Sequence, residues 1–287
     1  MIFDKLIHFP NKFFFPILKK DEEIREKFNK FGFIHEINKV ENINFASEIN
    51  ESISKIDLSS IINSKLKINP KSYSIDIFDH LDITMRERIL NFFNNQNKIK
   101  LVSSMLNYKA KLRKVCLLIN FCNELTKEEE GPKMFHRDSD SLQDQIKIFL
   151  LINNIENQNG MFYFIPKNII SEKKRLPYES KLKNLSIKDK WRTFDKTIFT
   201  YAKKNNIENP IQKLFGTSGE LLYVDTGKVY HKGGYIKDKD KFRFLIQAVY
   251  TPILSLSNWN TLDNALLKFI QNKLTSLRIK LRKEIDL

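Results

Sequence analysis

The sequence is poor in cysteine and has no long hydrophobic run. Its 2 cysteines, Cys116 and Cys122, form no Cys-x-x-Cys pair, which excludes a disulfide-stapled secreted scaffold and favours a reducing cytoplasm. No apolar run approaches the roughly 20 residues of a membrane-spanning helix, and Asp4 and Pro10 interrupt the apolar pieces of the first segment, where a signal peptide would be. The sequence therefore predicts a cytoplasmic protein with no membrane partner.

Glycine is scarce in the first half of the chain. Of 8 glycines, only Gly32 precedes residue 131, and the others lie between Gly131 and Gly234. Because glycine supplies the turns between closely spaced strands, the second half is predicted to be the β part. The chain is predicted to be one α+β domain, 1–287. Its parts are a mostly helical stretch (1–110), a β core (111–253) with a lysine-rich insertion at about 168–215, and an amphipathic closing helix (259–284).

Helical spacing of apolar residues predicts one helix over 21–33 and a longer one over 84–106, with Thr84 and Glu87 as a capping box. A short strand, "FIHEI", follows the first helix. Short apolar runs predict further strands, and these are 115–121, 146–153, 220–227 and 242–250. The segment "LLINNIENQNGMFYFIP" has the features of a β-hairpin, with Asn159-Gly160 leading into its second strand.

The formal net charge is +15, which raises the question of a nucleic-acid partner. The lysines are scattered and do not follow one face, and the chain is also rich in asparagine and isoleucine, as an A/T-rich coding sequence would produce. The composition therefore disfavours nucleic acid, while the charge remains compatible with a small anionic substrate. Oligomeric state is left open by the sequence.

The tripeptide His-x-Asp occurs twice in a chain that has only 5 histidines. His80-Leu81-Asp82 lies directly before a predicted helix, so Asp82 is predicted to start that helix and not to bind metal. His136-Arg137-Asp138 lies among predicted strands, where residues i and i+2 project from one face and Arg137 points the other way.

A third ligand and an anion-binding residue follow later in the chain. His231 lies near glycines after a predicted strand, and two histidines with one carboxylate form the facial triad of iron(II) oxygenases. Arg243, on the strand "FRFLIQAVY", suits a bidentate grip on a carboxylate, and Gln247 shares its face through the two-residue period.

Taken in order, "KFGFIHEI", "FHRD", "NGMFYFIP", "GELLYVDTGKVYHKGG" and the strand that carries Arg243 resemble the iron(II)/2-oxoglutarate oxygenases of the phytanoyl-CoA dioxygenase type. The resemblance covers roughly residues 22–253. It implies a double-stranded β-helix, or jelly-roll, core, in which His136, Asp138 and His231 would bind Fe(II). Arg243 would bind the distal carboxylate of 2-oxoglutarate, and O2 would be the second cosubstrate.

The same resemblance implies hydroxylation of a small organic molecule with release of succinate and CO2. Related halogenases need a small residue where this chain has Asp138, so the resemblance implies hydroxylation and not halogenation. The chain departs from the family at Gly233, where some members have a hydroxyl residue, so the polar partner of Arg243 is left open. It also lacks the glycine-serine-histidine turn after "FYFIP". Two alternatives remain at this point: a non-catalytic cupin-like metal- or ligand-binding protein, and an oxygenase that acts on a macromolecule.

Overall fold

The computed structural model describes most of the chain between residues 19 and 253. The described residues are 19–37, 39–107, 109–126, 133–138, 145–156, 159–160, 162–171, 176, 192–214 and 216–253. The predicted closing helix (259–284) and much of the predicted insertion (168–215) lie outside these residues. In the described part of the chain, no helix is long and apolar enough to cross a membrane.

In the described part of the chain, five α-helices precede the β core, as the glycine distribution predicts, and a sixth lies inside the core region. They are α1 (Lys19–Phe31), α2 (Val40–Ser54), α3 (Leu58–Ile68), α4 (Ile83–Phe93), α5 (Gln96–Leu106) and α6 (Asp195–Lys204). Helix α1 confirms the helix predicted over 21–33. It ends where Gly32 adopts a φ of +81°, a conformation that residues with a side chain rarely take.

The single helix predicted over 84–106 is wrong, because two helices occupy this stretch. Helix α4 ends at Phe93, and Asn95 starts α5 by accepting a hydrogen bond from the backbone N–H of Asn97 at 2.8 Å. The capping box at Thr84 is also wrong. Asp82 caps α4 by accepting from the backbone N–H of Met85 at 2.8 Å, so this His-x-Asp copy starts a helix, as predicted.

Among the described residues, nine strands form two antiparallel sheets. They are β1 (Phe33–Glu36), β2 (Ser74–Asp76), β3 (Ala110–Phe121), β4 (Ile146–Leu151), β5 (Phe162–Ile165), β6 (Gln212–Leu214), β7 (Leu221–Val224), β8 (Tyr230–Gly233) and β9 (Phe242–Pro252). The larger sheet has the order β1-β7-β4-β9-β3-β2, and the smaller has the order β6-β5-β8. The α+β class and the predicted strands are therefore confirmed.

The predicted hairpin between β4 and β5 is wrong, because these strands belong to different sheets. The connection is held by Asn159, whose amide donates to the carbonyl of Asn154 at 2.6 Å and accepts from the N–H of Glu156 at 2.7 Å. Gly160 follows with a φ of +79°. The Asn-Gly pair turns the chain from one sheet to the other, which local sequence cannot distinguish from a turn within one sheet.

The two faces of the larger sheet bury different apolar groups. Leu117 and Ile119 of β3 belong to the cluster that also contains Phe93 of α4, on the side covered by helices. Leu245 of β9 belongs instead to a cluster with Phe164 of β5, between the two sheets. Because successive strand residues point to opposite faces, the alternate residues of β3, β4 and β9 face a space between the sheets.

Candidate metal centre

His136 and His231 are brought together by the backbone. His136 lies just outside the named strands but forms an isolated antiparallel bridge with His231 of β8. Their ring centroids are 4.4 Å apart. This geometry joins two of the three predicted ligands, which the sequence alone leaves far apart.

Hydrogen bonds select the nitrogen atom that each ring offers to the cavity. Nδ1 of His136 lies 2.9 Å from the carbonyl oxygen of Met134, and Nδ1 of His231 lies 3.0 Å from that of Val229. A carbonyl only accepts, so each Nδ1 carries the proton and donates it. Each Nε2 therefore presents a lone pair, which is the arrangement that a metal-binding histidine needs.

Asp138 completes the group. Its backbone N–H donates to the carbonyl of Thr226 at 2.8 Å, which fixes the chain where the carboxylate turns toward the two rings. Oδ1 of Asp138 lies 3.8 Å from Nε2 of His136, and Oδ2 lies 3.9 Å from Nε2 of His231. One ligand atom from each of the three residues lies within 4.8 Å of the other two. Two neutral imidazoles and one carboxylate in this arrangement fit a divalent iron ion.

Burial and charge keep these three groups in the forms that bind a cation. Burial lowers the pKa of His136 to about 3 and also lowers the pKa of His231, so both rings are neutral near pH 7. Burial disfavours the Asp138 carboxylate, but its electrostatic interactions with His231 and Lys147 outweigh the effect of burial and hold the pKa of Asp138 below its ordinary value.

Arg137 points away from the other two residues of its tripeptide, as the two-residue period predicts. Its guanidinium lies over the ring of Tyr230, 4.1 Å from the centroid, and donates to the carbonyl of Ser171 at 2.9 Å. It therefore holds the outer side of the segment that carries His136 and Asp138 and does not enter the candidate site.

A cavity of about 340 Å³ between the two sheets contains the triad and reaches Arg243. Arg243 is 6% exposed. Its Nε donates to Oδ1 of Asn120 on the neighbouring strand at 3.1 Å, and Nη1 donates to the carbonyl of Gly160. Burial lowers the pKa of Arg243 to about 10, which still leaves the guanidinium charged at neutral pH.

The structure answers in part which group orients Arg243, a question the sequence leaves open. Asn120 is a partner that sequence analysis does not identify, and the antiparallel register places it directly opposite Arg243. A Cβ atom at Gly233 would lie 3.3 Å from Nη2 of Arg243. The glycine therefore leaves room beside the guanidinium. Gln247 also lines the cavity, on the same face of β9 as Arg243.

Two further polar residues of the cavity region, Lys147 and Gln145, are not assigned to the site by sequence analysis. Nζ of Lys147, on β4, lies 2.7 Å from Oδ2 of Asp138. The amide of Gln145 donates to the same oxygen at 3.2 Å and to the hydroxyl of Thr226 at 3.3 Å. A signal for Lys147 exists in the sequence, since it is a lone charge in the apolar run "IKIFLLIN".

No family model matches the sequence, and neither does any curated protein. Solved structures with a similar chain path do exist. The epimerase SnoN in complex with Fe3+, alpha ketoglutarate and nogalamycin RO shares 11% identity, with 85% of this chain and 91% of that chain covered and a TM-score of 0.49.

Two other solved structures are similar at the same level. HygX from Streptomyces hygroscopicus, with nickel and 2-oxoglutarate bound, shares 12% identity, with 83% and 88% of the two chains covered and a TM-score of 0.47. EctD from S. alaskensis, with bound Fe, shares 14% identity, with 83% and 77% covered and a TM-score of 0.48. At this level of similarity, the function of the present chain has to be argued from its own residues.

Proposed function

We propose that this chain is an Fe(II)- and 2-oxoglutarate-dependent dioxygenase of the phytanoyl-CoA dioxygenase type, with a double-stranded β-helix core, that hydroxylates a small organic molecule. His136, Asp138 and His231 would hold Fe(II), and Arg243 would hold 2-oxoglutarate. The observation that carries the proposal is a single cavity. It contains two neutral histidines and a carboxylate in one part and the buried guanidinium of Arg243 in another.

The three protein ligands leave coordination positions open on iron, which the keto acid and O2 would occupy. When bound, the iron would supply the oxidation, in which 2-oxoglutarate, O2 and a substrate C–H bond give succinate, CO2 and a C–OH group. The protein residues supply binding, orientation and exclusion of water.

Arg243 is suited to the far carboxylate of the cosubstrate. Two of its nitrogen atoms are engaged by Asn120 and Gly160, so the side chain is held in one orientation before any ligand arrives. Gly233 lies two residues after the ligand His231 on β8 and beside Nη2 of Arg243. A short dicarboxylate can therefore run along β8 from the triad to the guanidinium.

The walls between these two ends are apolar. Phe149, Phe162 and Leu245 are among the residues that line the cavity, together with leucines from β3 and β7. Such walls exclude water from the site, which strengthens the electrostatic contacts of the bound groups and limits side reactions. Asp138 supports hydroxylation over halogenation, because a carboxylate occupies the position that a halide ligand would need.

The test is an anaerobic titration of the metal-free protein with Fe(II) and 2-oxoglutarate. The readout is the weak visible charge-transfer band of a chelated keto acid. We expect a band in the natural protein and none in His136→Ala. In Arg243→Ala, the band should require about tenfold or more 2-oxoglutarate, since a charge-assisted hydrogen bond contributes about 1.5–3 kcal/mol. The exposed His80 belongs to the other His-x-Asp copy, so His80→Ala is the matched control and should keep the band unchanged.

The absence of a band from folded, metal-loaded protein would contradict the proposal. The chain would then be better described as a metal- or ligand-binding protein on the same type of barrel. A band that persists in His136→Ala would show that the metal binds elsewhere.

A further inference from the structure

Lys147 is a cationic side chain inside the cavity to which the proposed function assigns no role. It lies on the inner face of β4, with a side chain that is 17% exposed, and its Nζ is 2.7 Å from Oδ2 of Asp138. It lines the same cavity as the triad and Arg243. The ammonium group therefore sits within a few ångströms of the position that the three ligands define for a metal.

The cavity carries an excess of positive charge. Of the described residues that line it, Asp138 is the one carboxylate, while Lys147 and Arg243 are cations, so the wall has a net charge of +1. A divalent metal raises this excess by two, and dianionic 2-oxoglutarate lowers it again by two. Among the described lining residues, one positive charge then remains uncompensated in a mostly apolar space, where an unpaired charge is costly.

The same count identifies which cation lacks a counter-charge. Arg243 would receive the far carboxylate of the cosubstrate, and the near carboxylate would lie on the metal. The Asp138 carboxylate would coordinate the metal, and this would weaken its ion pair with Lys147. Among the described residues that line the cavity, no other carboxylate is available to Lys147.

We propose that Lys147 recognises the substrate by binding an anionic group, a carboxylate or a phosphate, beside the metal. This inference rests on the proposed function. It makes the substrate a small anionic molecule whose charged group is fixed close to the oxidised carbon. The apolar walls contributed by Phe149 and Phe162 would contact the rest of the molecule.

A carboxylate on Lys147 could come from two sources, the substrate or the near end of 2-oxoglutarate. The two sources are separated by the charge-transfer titration of Lys147→Met. If Lys147 serves the substrate, this variant should need the same concentration of 2-oxoglutarate as the natural protein. A tenfold increase in that concentration would assign Lys147 to the cosubstrate and overturn the proposal.

Anion binding beside the metal is tested with Mn(II), which takes the place of iron and reports distance through paramagnetic relaxation. Protein saturated with Mn(II) and 2-oxoglutarate is titrated with inorganic phosphate and, separately, with carboxyl-labelled acetate. Relaxation of the 31P and 13C signals is then recorded. We expect at least one of the two anions to bind to the natural protein, with affinity lowered about tenfold in Lys147→Met.

Two variants control this experiment. Lys147→Arg keeps the charge and should retain anion binding. Lys111→Met makes the same chemical change at an exposed position of β3 and should behave as the natural protein. Equal relaxation in the natural protein and in Lys147→Met, or none with either anion, would overturn the inference. A missing charge-transfer band in the natural protein would instead contradict the proposed function itself.

Discussion

The backbones of His136 and His231 bond to each other in both directions, each N–H donating to the other residue's carbonyl at 2.9 Å. This reciprocal pair places two imidazoles side by side before any metal is present. The orientation of each ring is set by its own Nδ1 contact with a carbonyl two residues earlier in the chain. The ligand geometry is thus a property of strand pairing, and a cation would need little rearrangement to bind.

Gln145 is expected to control metal affinity without touching the metal. Its amide donates to Oδ2 of Asp138, and Gln145→Leu removes that bond while keeping much of the volume. Such outer contacts typically contribute 10- to 100-fold to metal affinity. We expect the affinity for Fe(II) or Ni(II), measured by competition with a chelator, to fall about tenfold. An unchanged affinity would show that the ion pair with Lys147 and the backbone bond from Asp138 to Thr226 suffice to orient the carboxylate.

Asn120 is expected to control binding of 2-oxoglutarate through Arg243. In Asn120→Ala, the Nε of Arg243 loses its acceptor and the side chain gains freedom. The keto-acid concentration that half-saturates the charge-transfer band should rise about tenfold, with Fe(II) affinity unchanged. The exposed Asn63 of α3 provides the matched control, Asn63→Ala. Equal half-saturation in both variants would mean that Gly160 alone fixes the guanidinium.

Two glycines near the site should lose different amounts of stability when replaced by alanine. At Gly160, φ is +79° and an added Cβ would lie 2.7 Å from the carbonyl oxygen of Gly234 and 2.9 Å from Nη1 of Arg243. At Gly227, the nearest atoms would be 3.8 Å away, which is ordinary contact. Gly160→Ala should lower the free energy of unfolding by about 1–3 kcal/mol in urea titrations, and Gly227→Ala by less than about 0.5 kcal/mol. Equal losses would contradict this assignment of strain.

The metal-free protein should lose stability as the pH falls from 7 to 5. Both cavity histidines have a pKa below the ordinary value of 6.5, so the unfolded chain binds more protons than the folded one in this range. The free energy of unfolding therefore rises with pH. The stability that depends on keeping these two histidines neutral is fully present above about pH 6.5 and is lost as the pH falls. Asp138 adds nothing to this change, because its depressed pKa acts only near and below pH 4.

Each histidine contributes at most about 1.4 kcal/mol per pH unit. The free energy of unfolding, measured by urea titration at pH 5, 6 and 7, should therefore rise with pH. The slope of this rise should be clearly reduced in His136→Gln. His80→Gln changes an exposed histidine and should leave the slope unchanged. An equal slope in the natural protein and in His136→Gln would show that this ring is not held neutral by burial.

Sequence patterns predicted those features that depend on neighbouring residues. Period and turn chemistry located α1 and six of the nine described strands, and missed β2, β6 and β8. They also identified His80-Leu81-Asp82 as the start of a helix. The predictions were wrong where two different structures have the same local sequence pattern. The apolar spacing of 84–106 continues across Asn94 and Asn95, which end one helix and start the next. The Asn159-Gly160 turn likewise gives no sign that it joins two different sheets.

By itself, the sequence determined the α+β class, the places of six strands along the chain and the residue types that could bind a metal. The tertiary structure decided which of those residues meet. It placed His231 beside His136, Asn120 opposite Arg243, and Lys147 against Asp138. The reason is physical. These contacts depend on strand register and on which face of a sheet is enclosed, and both are set by packing between segments that are distant in sequence.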